Sequence, residues 1–300
     1  MKKSKSIILA LFCCLLWGLV FPILKLLYAE LNITDNYAKV TLAGMRFLSA
    51  GILVLIYYRL SFKSFPKIKS IKEFAKLTVL GFFQTALLYA FFFIGSSHIT
   101  GVKSAVLSQF DIFFIVFLAH FFLPNEKINS KKIIGVILGL VGIVVVNVNS
   151  IGSTDSLLSF TLLGEGFLII SGIFAAIGTI IAKKIGKDLN PVLLNGWQLT
   201  LGGGLLLIYG LITYGKLISF PNSLSFVLFV SLILVSAVAF TIWYRILRHV
   251  KASEITIYKF MIPIIGAIAS AIIVPGESLS IYSFLGLILV SVGIYFSNKK

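Results

Sequence analysis

The sequence predicts an all-α membrane protein in which ten transmembrane helices form two inverted five-helix repeats. The first observation is composition: 59% of the 300 residues are hydrophobic and 12% are charged, a balance that a water-soluble domain could not solvate. The second is that the apolar runs are long and continuous, without the alternation of a membrane β-strand. The third is an internal duplication. At about 20 residues per span, the chain holds roughly ten helices and no separate catalytic domain.

The duplication is clearest near the end of each half, where segments 124–147 and 275–298 align without a gap. Each segment begins with a Pro-x-Glu sequence that leads into a short apolar helix. The aligned identical residues include Pro124, Glu126, Gly135, Gly142 and Asn147 in the first segment and Pro275, Glu277, Gly286, Gly293 and Asn298 in the second. We therefore expect a first five-helix repeat over residues 1–150 and a second over residues 151–300.

The apolar runs place the individual helices. The first run is too long for the apolar region of a cleaved signal peptide, which has about 7–15 residues, so we expect it to remain as a membrane span. The predicted spans are 7–27, 37–58, 74–95, 101–123, 132–147, 160–182, 192–214, 223–245, 253–274 and 281–297.

The distribution of basic residues predicts the orientation. Most of the 26 Lys and Arg residues fall in loops on one side of the predicted bundle, which is typical of the cytoplasmic side. Both termini are therefore expected in the cytoplasm, with the protein in a bacterial-type plasma membrane. Because five is an odd number, the second repeat enters the membrane inverted; residues 124–132 are basic, whereas the equivalent 275–283 contain no Lys or Arg. Inverted repeats are typical of transporters that work by alternating access.

Four segments make the sequence similar to the EamA family of the drug/metabolite transporter superfamily. They are LLWGLVFPILK (residues 15–25), AGMRFLSAGILVL (43–55), NGWQLTLGGGLLL (195–207) and TIWYRILRHV (241–250). The resemblance implies ten helices, with the first four of each repeat around a central cavity and the fifth and tenth outside. It also implies transport of amino acids and other small metabolites, often as export. One departure lies in the fourth span, where Ile112 stands at the position matched by Pro263.

Three ionisable residues lie deep in predicted spans, where a charge costs about 2.5–3.5 kcal/mol to insert: Arg46, Asp111 and Lys259. Asp111 shares a helix face with Ser104 and Ser108, so we expect a polar wall there. Two interpretations of Asp111 stay open. It binds a solute amine or carries the coupling proton, or it is the buried partner of Arg46 or Lys259.

The two cations also have alternative interpretations. Arg46 keeps its proton in proteins and therefore needs an anion, which is either a solute carboxylate or a protein carboxylate held for structure or gating. Lys259 either supplies a second cationic contact to the solute or extends along its helix to the near membrane surface.

Uncharged polar and aromatic residues on the same helices suit the walls of a site for an organic solute. For each aromatic residue, packing or a position at the membrane interface is the alternative. With the charged residues, the predicted substrate-binding set is Arg46, Gln84, Tyr89, Ser108, Asp111, Trp197, Gln198, Trp243 and Lys259, of which Asp111 is the candidate for proton coupling.

Two repeated features have structural interpretations. Glu126 and Glu277 precede the fifth and tenth helices, where the helix dipole favours a carboxylate. Glycines on those helices, among them Gly135, Gly142 and Gly293, allow close helix contact, either with the bundle or in a homodimer.

Other functional classes lack support in the sequence. It contains no HExxH, GxSxG or Walker motif and no cluster of metal ligands, so we expect neither an enzyme nor a cofactor. The net charge of +16 does not indicate nucleic acid, because the basic residues flank membrane spans; the expected partners are a small-molecule solute and the lipid bilayer. The alternatives to a secondary transporter are a facilitator for a neutral or phosphorylated metabolite and a non-transporting scaffold or sensor.

Overall fold

A computed structural model describes residues 3–99, 101–146, 160–275 and 281–298 of the chain. These residues form helices and no strand. In chain order the helices are α1 (Lys3–Glu30), α2 (Asn36–Phe62), α3 (Ile71–Ser96), α4 (Gly101–Leu107 and Phe110–Phe122), α5 (Ser130–Val146), α6 (Leu162–Ile185), α7 (Pro191–Tyr214), α8 (Ser223–His249), α9 (Ala252–Ile273) and α10 (Ile281–Asn298).

Helix length and hydropathy identify a multi-pass membrane protein. Eight helices, α1 to α4 and α6 to α9, are long and apolar enough to cross a membrane. The helices α5 and α10 are shorter, with 17 and 18 residues. Large apolar side chains stand on the outside of the bundle; Ile212 and Ile272, for example, are each 78% exposed. Such a surface is unfavourable in water, and lipid tails cover it without that penalty.

One end of the bundle collects the beginnings of α1, α5 and α9 and the ends of α6 and α8. Lys3 lies 3.8 Å from Glu254 there, and Lys132 donates to Ser253 at 2.8 Å. We call this end the basic end, because Lys and Arg residues of the helix termini and connecting loops lie at it.

The predicted spans coincide with the observed helices to within a few residues, but the fourth span is interrupted. Gln109 N donates to Val106 O and Ile112 N donates to Gln109 O, both at 3.1 Å, so the backbone turns tightly between the two segments of α4. The hydroxyl of Ser108 donates to Ala105 O at 3.0 Å and so competes with the helical hydrogen bonds. The interruption therefore forms without the proline that usually signals one.

The ninth helix is irregular at the matching level. Its residues Thr256–Phe260 form a 3₁₀ stretch between two α-helical segments. The offset of the internal repeat aligns Ser108 of α4 with Lys259 of this stretch. Interrupted helices near mid-depth are where membrane transporters commonly place their binding groups.

Helix pairing follows a regular scheme. The helices α2 and α7 pack along their lengths, as do α5 and α10. The helix α1 packs against α8 and α9, and α6 packs against α3 and α4. Exchanging the first five helices with the last five converts the pairings of α1 into those of α6 and leaves α2–α7 and α5–α10 unchanged.

The glycines of α5 and α10 face each other within the chain. A Cβ atom at Gly135 would lie 2.7 Å from Gly293 O, and one at Gly142 would lie 3.0 Å from Gly286 O. These positions allow the two short helices to pack closely, as expected for small residues between membrane helices. The homodimer stays a prediction, and these glycines are occupied by intramolecular packing.

Candidate functional site

A cavity of about 220 Å³ lies between α1, α3, α4, α6, α8 and α9, and Arg46 reaches it from α2. Its volume is below the roughly 300–1,000 Å³ that holds drug-sized ligands, so it suits a small solute. The cavity brings together most of the predicted substrate-binding residues: Arg46, Gln84, Tyr89, Ser108, Asp111, Trp243 and Lys259.

Asp111 and Lys259 form an ion pair beside the cavity. Asp111 lies just after the interruption of α4, and Lys259 lies in the 3₁₀ stretch of α9. Their side chains keep 10% and 20% of their accessible surface, so both charges are largely withdrawn from solvent. Each charge compensates the other, which lowers the cost of placing them at membrane depth. Of the two partners expected for Asp111, the structure selects Lys259.

Arg46 lines the cavity without a carboxylate beside it. Its Nε donates to Ser236 Oγ at 2.8 Å and to Leu232 O at 3.2 Å, both in α8, and only 7% of the residue is exposed. Among the described residues, no Asp or Glu pairs with Arg46, and its two terminal NH₂ groups have no hydrogen-bond partner. The guanidinium carbon lies 4.9 Å from the centroid of the Phe47 ring, but no carboxylate among the described residues balances the charge of Arg46.

Two predicted residues, Gln198 and Trp197, lie outside the cavity wall. Gln198 is fully buried; its Nε2 donates to Thr85 Oγ1, and its Oε1 accepts from Tyr244 Oη at 3.1 Å. Because Tyr244 lines the cavity, Gln198 supports the wall from behind. Trp197 donates from Nε1 to Pro66 O at 3.0 Å, in the loop between α2 and α3.

Aromatic rings form much of the apolar wall. The Trp17 ring meets Phe240 and Trp243 edge-on, with centroids 5.3 and 5.2 Å apart. Phe47 packs on Tyr89 with a centroid distance of 4.4 Å. Edge-on contacts of this kind hold rings in place beyond the effect of burial alone. The wall is therefore a packed surface suited to an organic solute.

The contribution of α6 was not anticipated from the sequence. Ser171, Ala175 and Thr179 line the cavity at intervals of one helical turn. The hydroxyls of Ser171 and Thr179 donate to backbone oxygens of their own helix, at 2.7 and 2.8 Å. Small and hydroxyl residues with this spacing share one face of the helix, and this pattern in the sequence could have indicated that α6 borders a cavity.

Metal chemistry finds no support in the part of the chain that the structure describes. No group of three or more His, Cys, Asp or Glu side chains lies close enough there to hold a metal ion. Cys13 and Cys14 are buried and unpaired with each other; their thiols donate to Ala239 O and Tyr258 O, at 3.5 and 3.3 Å.

Comparison with known proteins gives a consistent family. Residues 4–148 and 162–299 both match the EamA-like transporter family. A protein of Archaeoglobus fulgidus named "Uncharacterized transporter" is 26% identical over 300 residues, covering 99% of both chains. A protein of Escherichia coli named "Probable amino-acid metabolite efflux pump" is 26% identical over 310 residues, covering 98% of this chain and 94% of its own.

One solved crystal structure has the same fold. It superposes with a TM-score of 0.78, covering 99% of this chain and 97% of that chain. Its sequence is 14% identical, so the likeness concerns the fold alone.

Proposed function

This chain belongs to the EamA-like transporter family, and we propose that it is a secondary transporter that exports a small, carboxylate-bearing, amino-acid-like solute by alternating access. The observation that carries the proposal is the uncompensated Arg46 beside the Asp111–Lys259 pair in one central cavity. Asp111 is paired with Lys259, so a bound carboxylate group would give Arg46 the counter-charge that it lacks. A scaffold would have little use for buried charges of this kind.

The geometry of Arg46 suits a carboxylate. Hydrogen bonds from Nε to α8 fix the guanidinium plane, while the two terminal NH₂ groups keep their donors. A guanidinium presents parallel N–H groups that match the two oxygens of a carboxylate, and such charge-assisted bonds are roughly twice as strong as neutral ones.

The Asp111–Lys259 pair supplies a site for the other end of the solute. A solute ammonium group can replace Lys259 at the carboxylate of Asp111, or a proton on Asp111 can release Lys259. The name of the related efflux pump of Escherichia coli supports an amino-acid-like solute and the export direction. The paired Asp111 is also the proposed carrier of a coupling proton.

Alternating access is supported by three features of the chain. The family match falls in two consecutive stretches, 4–148 and 162–299. The helix pairings exchange under a swap of the two halves, and α4 and α9 are irregular at aligned positions. These features favour two inverted repeats, 1–150 and 151–300, around one site. The position of the basic residues favours a plasma-membrane location with both termini in the cytoplasm.

A binding screen of the purified full-length protein tests the proposal. Thermal unfolding is measured with monocarboxylates, amines, zwitterionic amino acids, phosphorylated metabolites, sugars and nucleosides. A ligand that binds the folded state stabilises it by about 2.7 kcal/mol at a hundredfold excess over Kd. We expect hits among carboxylate-bearing compounds, with zwitterions stabilising most.

The matched controls are two arginine variants on the same helix. Arg46→Gln should remove the stabilisation by carboxylates, whereas Arg59→Gln should preserve it, because Arg59 lies in the last turn of α2 outside the cavity. Hits confined to sugars, nucleosides or phosphorylated metabolites would favour the facilitator. A failure to exchange any solute across liposomes would favour the scaffold or sensor.

A further inference from the structure

The turn between α8 and α9 (residues 247–253) is held on its α8 side by a lysine from another helix. Lys183, in the last turn of α6, donates from Nζ to the backbone oxygens of Leu247 and Val250, the second at 2.5 Å. A cation in this position satisfies carbonyl groups that the end of a helix leaves without intrahelical partners.

On its α9 side the same turn is held by a carboxylate. Glu126, in the loop between α4 and α5, accepts hydrogen bonds from the backbone N–H groups of Ala252 and Ser253, at 2.9 and 2.8 Å. These N–H groups belong to the first turn of α9 and have no partner within the helix. The helix dipole also favours a negative charge at this end. The carboxylate therefore stabilises α9, whereas the sequence pointed to the helix that directly follows it, α5.

A second lysine ties this loop to α9. Lys132, in the first turn of α5, donates from Nζ to Lys127 O at 2.9 Å and to Ser253 Oγ at 2.8 Å. The loop that carries Glu126 is thereby joined to the start of α9 through two side chains. We call Glu126, Lys132 and Lys183 the clamp.

The contacts of the clamp bury the start of α9. Glu126 is 2% exposed and Lys132 is 5% exposed, and neither Ala252 nor Ser253 has measurable exposure. Hydrogen bonds to charged groups contribute more to stability than neutral ones, and leaving such a group unpaired in a buried position is unfavourable. The clamp therefore holds the start of α9 in place in this structure.

The clamped segment leads directly to the cavity. The first α-helical segment of α9, Ala252–Ile255, continues into the 3₁₀ stretch Thr256–Phe260, which contains Lys259. A 3₁₀ stretch within a longer helix often marks a hinge. Movement of the clamped segment about this stretch would change the position of Lys259 relative to Asp111.

We propose that the clamp is the gate of the basic end. The passage to the cavity opens there when Glu126 and Lys183 release the turn and α9 bends at Thr256–Phe260. The role of the clamp as a gate rests on the proposed transport function. The structural claim, that the clamp holds the turn shut, is tested without any solute.

The test measures the reactivity of a reporter cysteine with a maleimide. The reporter is Ala252→Cys, introduced with Cys13→Ala and Cys14→Ala in the full-length chain, and the protein is held in nanodiscs so that both ends are reachable. Ala252 is buried, and its side chain takes no part in the clamp. We expect slow labelling of this background and labelling faster by about 10- to 100-fold with Glu126→Gln, which loses charge-assisted hydrogen bonds.

The matched control is Glu73→Gln, which alters a carboxylate in the first turn of α3 that accepts a hydrogen bond from Lys69 N at 3.1 Å, away from the clamp. It should leave the labelling rate unchanged. Lys183→Met releases the other side of the turn and should also speed labelling. If Glu126→Gln fails to fold, the labelling rate of Lys183→Met tests the proposal in its place. Labelling of both clamp variants at the rate of the control would overturn the proposal, whatever the solute screen finds.

Discussion

Asp111 in the first half of the chain pairs with Lys259 in the second half, at the level where α4 and α9 both depart from regular helix. The pair therefore joins the two halves at the cavity. Because each charge is largely withdrawn from solvent and has the other as its ion-pair partner, any event that neutralises or displaces one of them changes the electrostatic environment of the other.

Removing one member of the pair should destabilise the protein. Asp111→Asn leaves Lys259 as a partly buried cation without a counter-charge. We expect a loss of about 1–3 kcal/mol in the free energy of unfolding, below the roughly 3–5 kcal/mol of a fully buried pair because the Lys259 side chain keeps 20% of its accessible surface. Thermal and chemical unfolding in detergent measure the effect.

The control for this prediction removes both charges. Asp111→Asn combined with Lys259→Met should recover most of the lost stability, since no lone charge then remains in the membrane. A double variant that is as unstable as the sum of the two single variants would show that the two residues act independently.

Ser236 should orient Arg46 for a solute carboxylate. Ser236→Ala removes the 2.8 Å hydrogen bond to Arg46 Nε, while Leu232 O stays in place. We expect carboxylate affinity to fall roughly three- to tenfold, less than a whole charge-assisted hydrogen bond would give. Isothermal titration with a carboxylate hit from the screen measures it.

Ser231→Ala is the matched substitution on the same helix. Ser231 does not line the cavity, and its hydroxyl donates to Val227 O of its own helix at 2.8 Å. Removing this hydroxyl should therefore leave the affinity for the carboxylate unchanged. Equal losses of affinity in the two serine variants would argue against an orienting role for Ser236.

Asp111 should also determine the response to a proton gradient. If it carries the coupling proton, a pH gradient across liposomes accelerates solute flux in the unaltered protein and has no effect in Asp111→Asn. Asp188→Asn changes an exposed carboxylate between α6 and α7 and should keep the response. Flux through Asp111→Asn that still follows the gradient would assign the proton to another group.

The membrane spans could be predicted from the sequence because lipid imposes one requirement on every spanning helix, a long apolar run. Buried charges were equally visible, since an ionisable residue in such a run stands out against its neighbours. The sequence could not predict that Asp111 pairs with Lys259 and not with Arg46, because this choice depends on the relative positions of α2, α4 and α9. Each pairing was compatible with the same sequence.

Other features that the sequence does not show arise from contacts between distant segments. Glu126 was assigned to the helix that follows it, but its loop reaches across to the start of α9. The interruption of α4 lacks the proline that marks a break, and a serine hydroxyl takes part instead. Trp197 follows the aromatic pattern of a cavity wall, yet its indole donates to Pro66 O in a loop. Sequence spacing shows which residues share a face of one helix, but it does not show which residues of another helix contact that face.

The three consecutive glycines of α7 illustrate the same limit and give a sharp test of packing. A Cβ atom at Gly203 would lie 2.4 Å from Leu48 N of α2, whereas one at Gly204 would meet no atom within 4 Å. Gly203→Ala should therefore destabilise the protein by about 1–3 kcal/mol, because backbone atoms must move apart. Gly204→Ala should stabilise it by up to about 1 kcal/mol, because alanine loses less conformational freedom than glycine in a helix. Unfolding in detergent compares the adjacent variants, and equal effects on stability would contradict the close packing of α2 on α7.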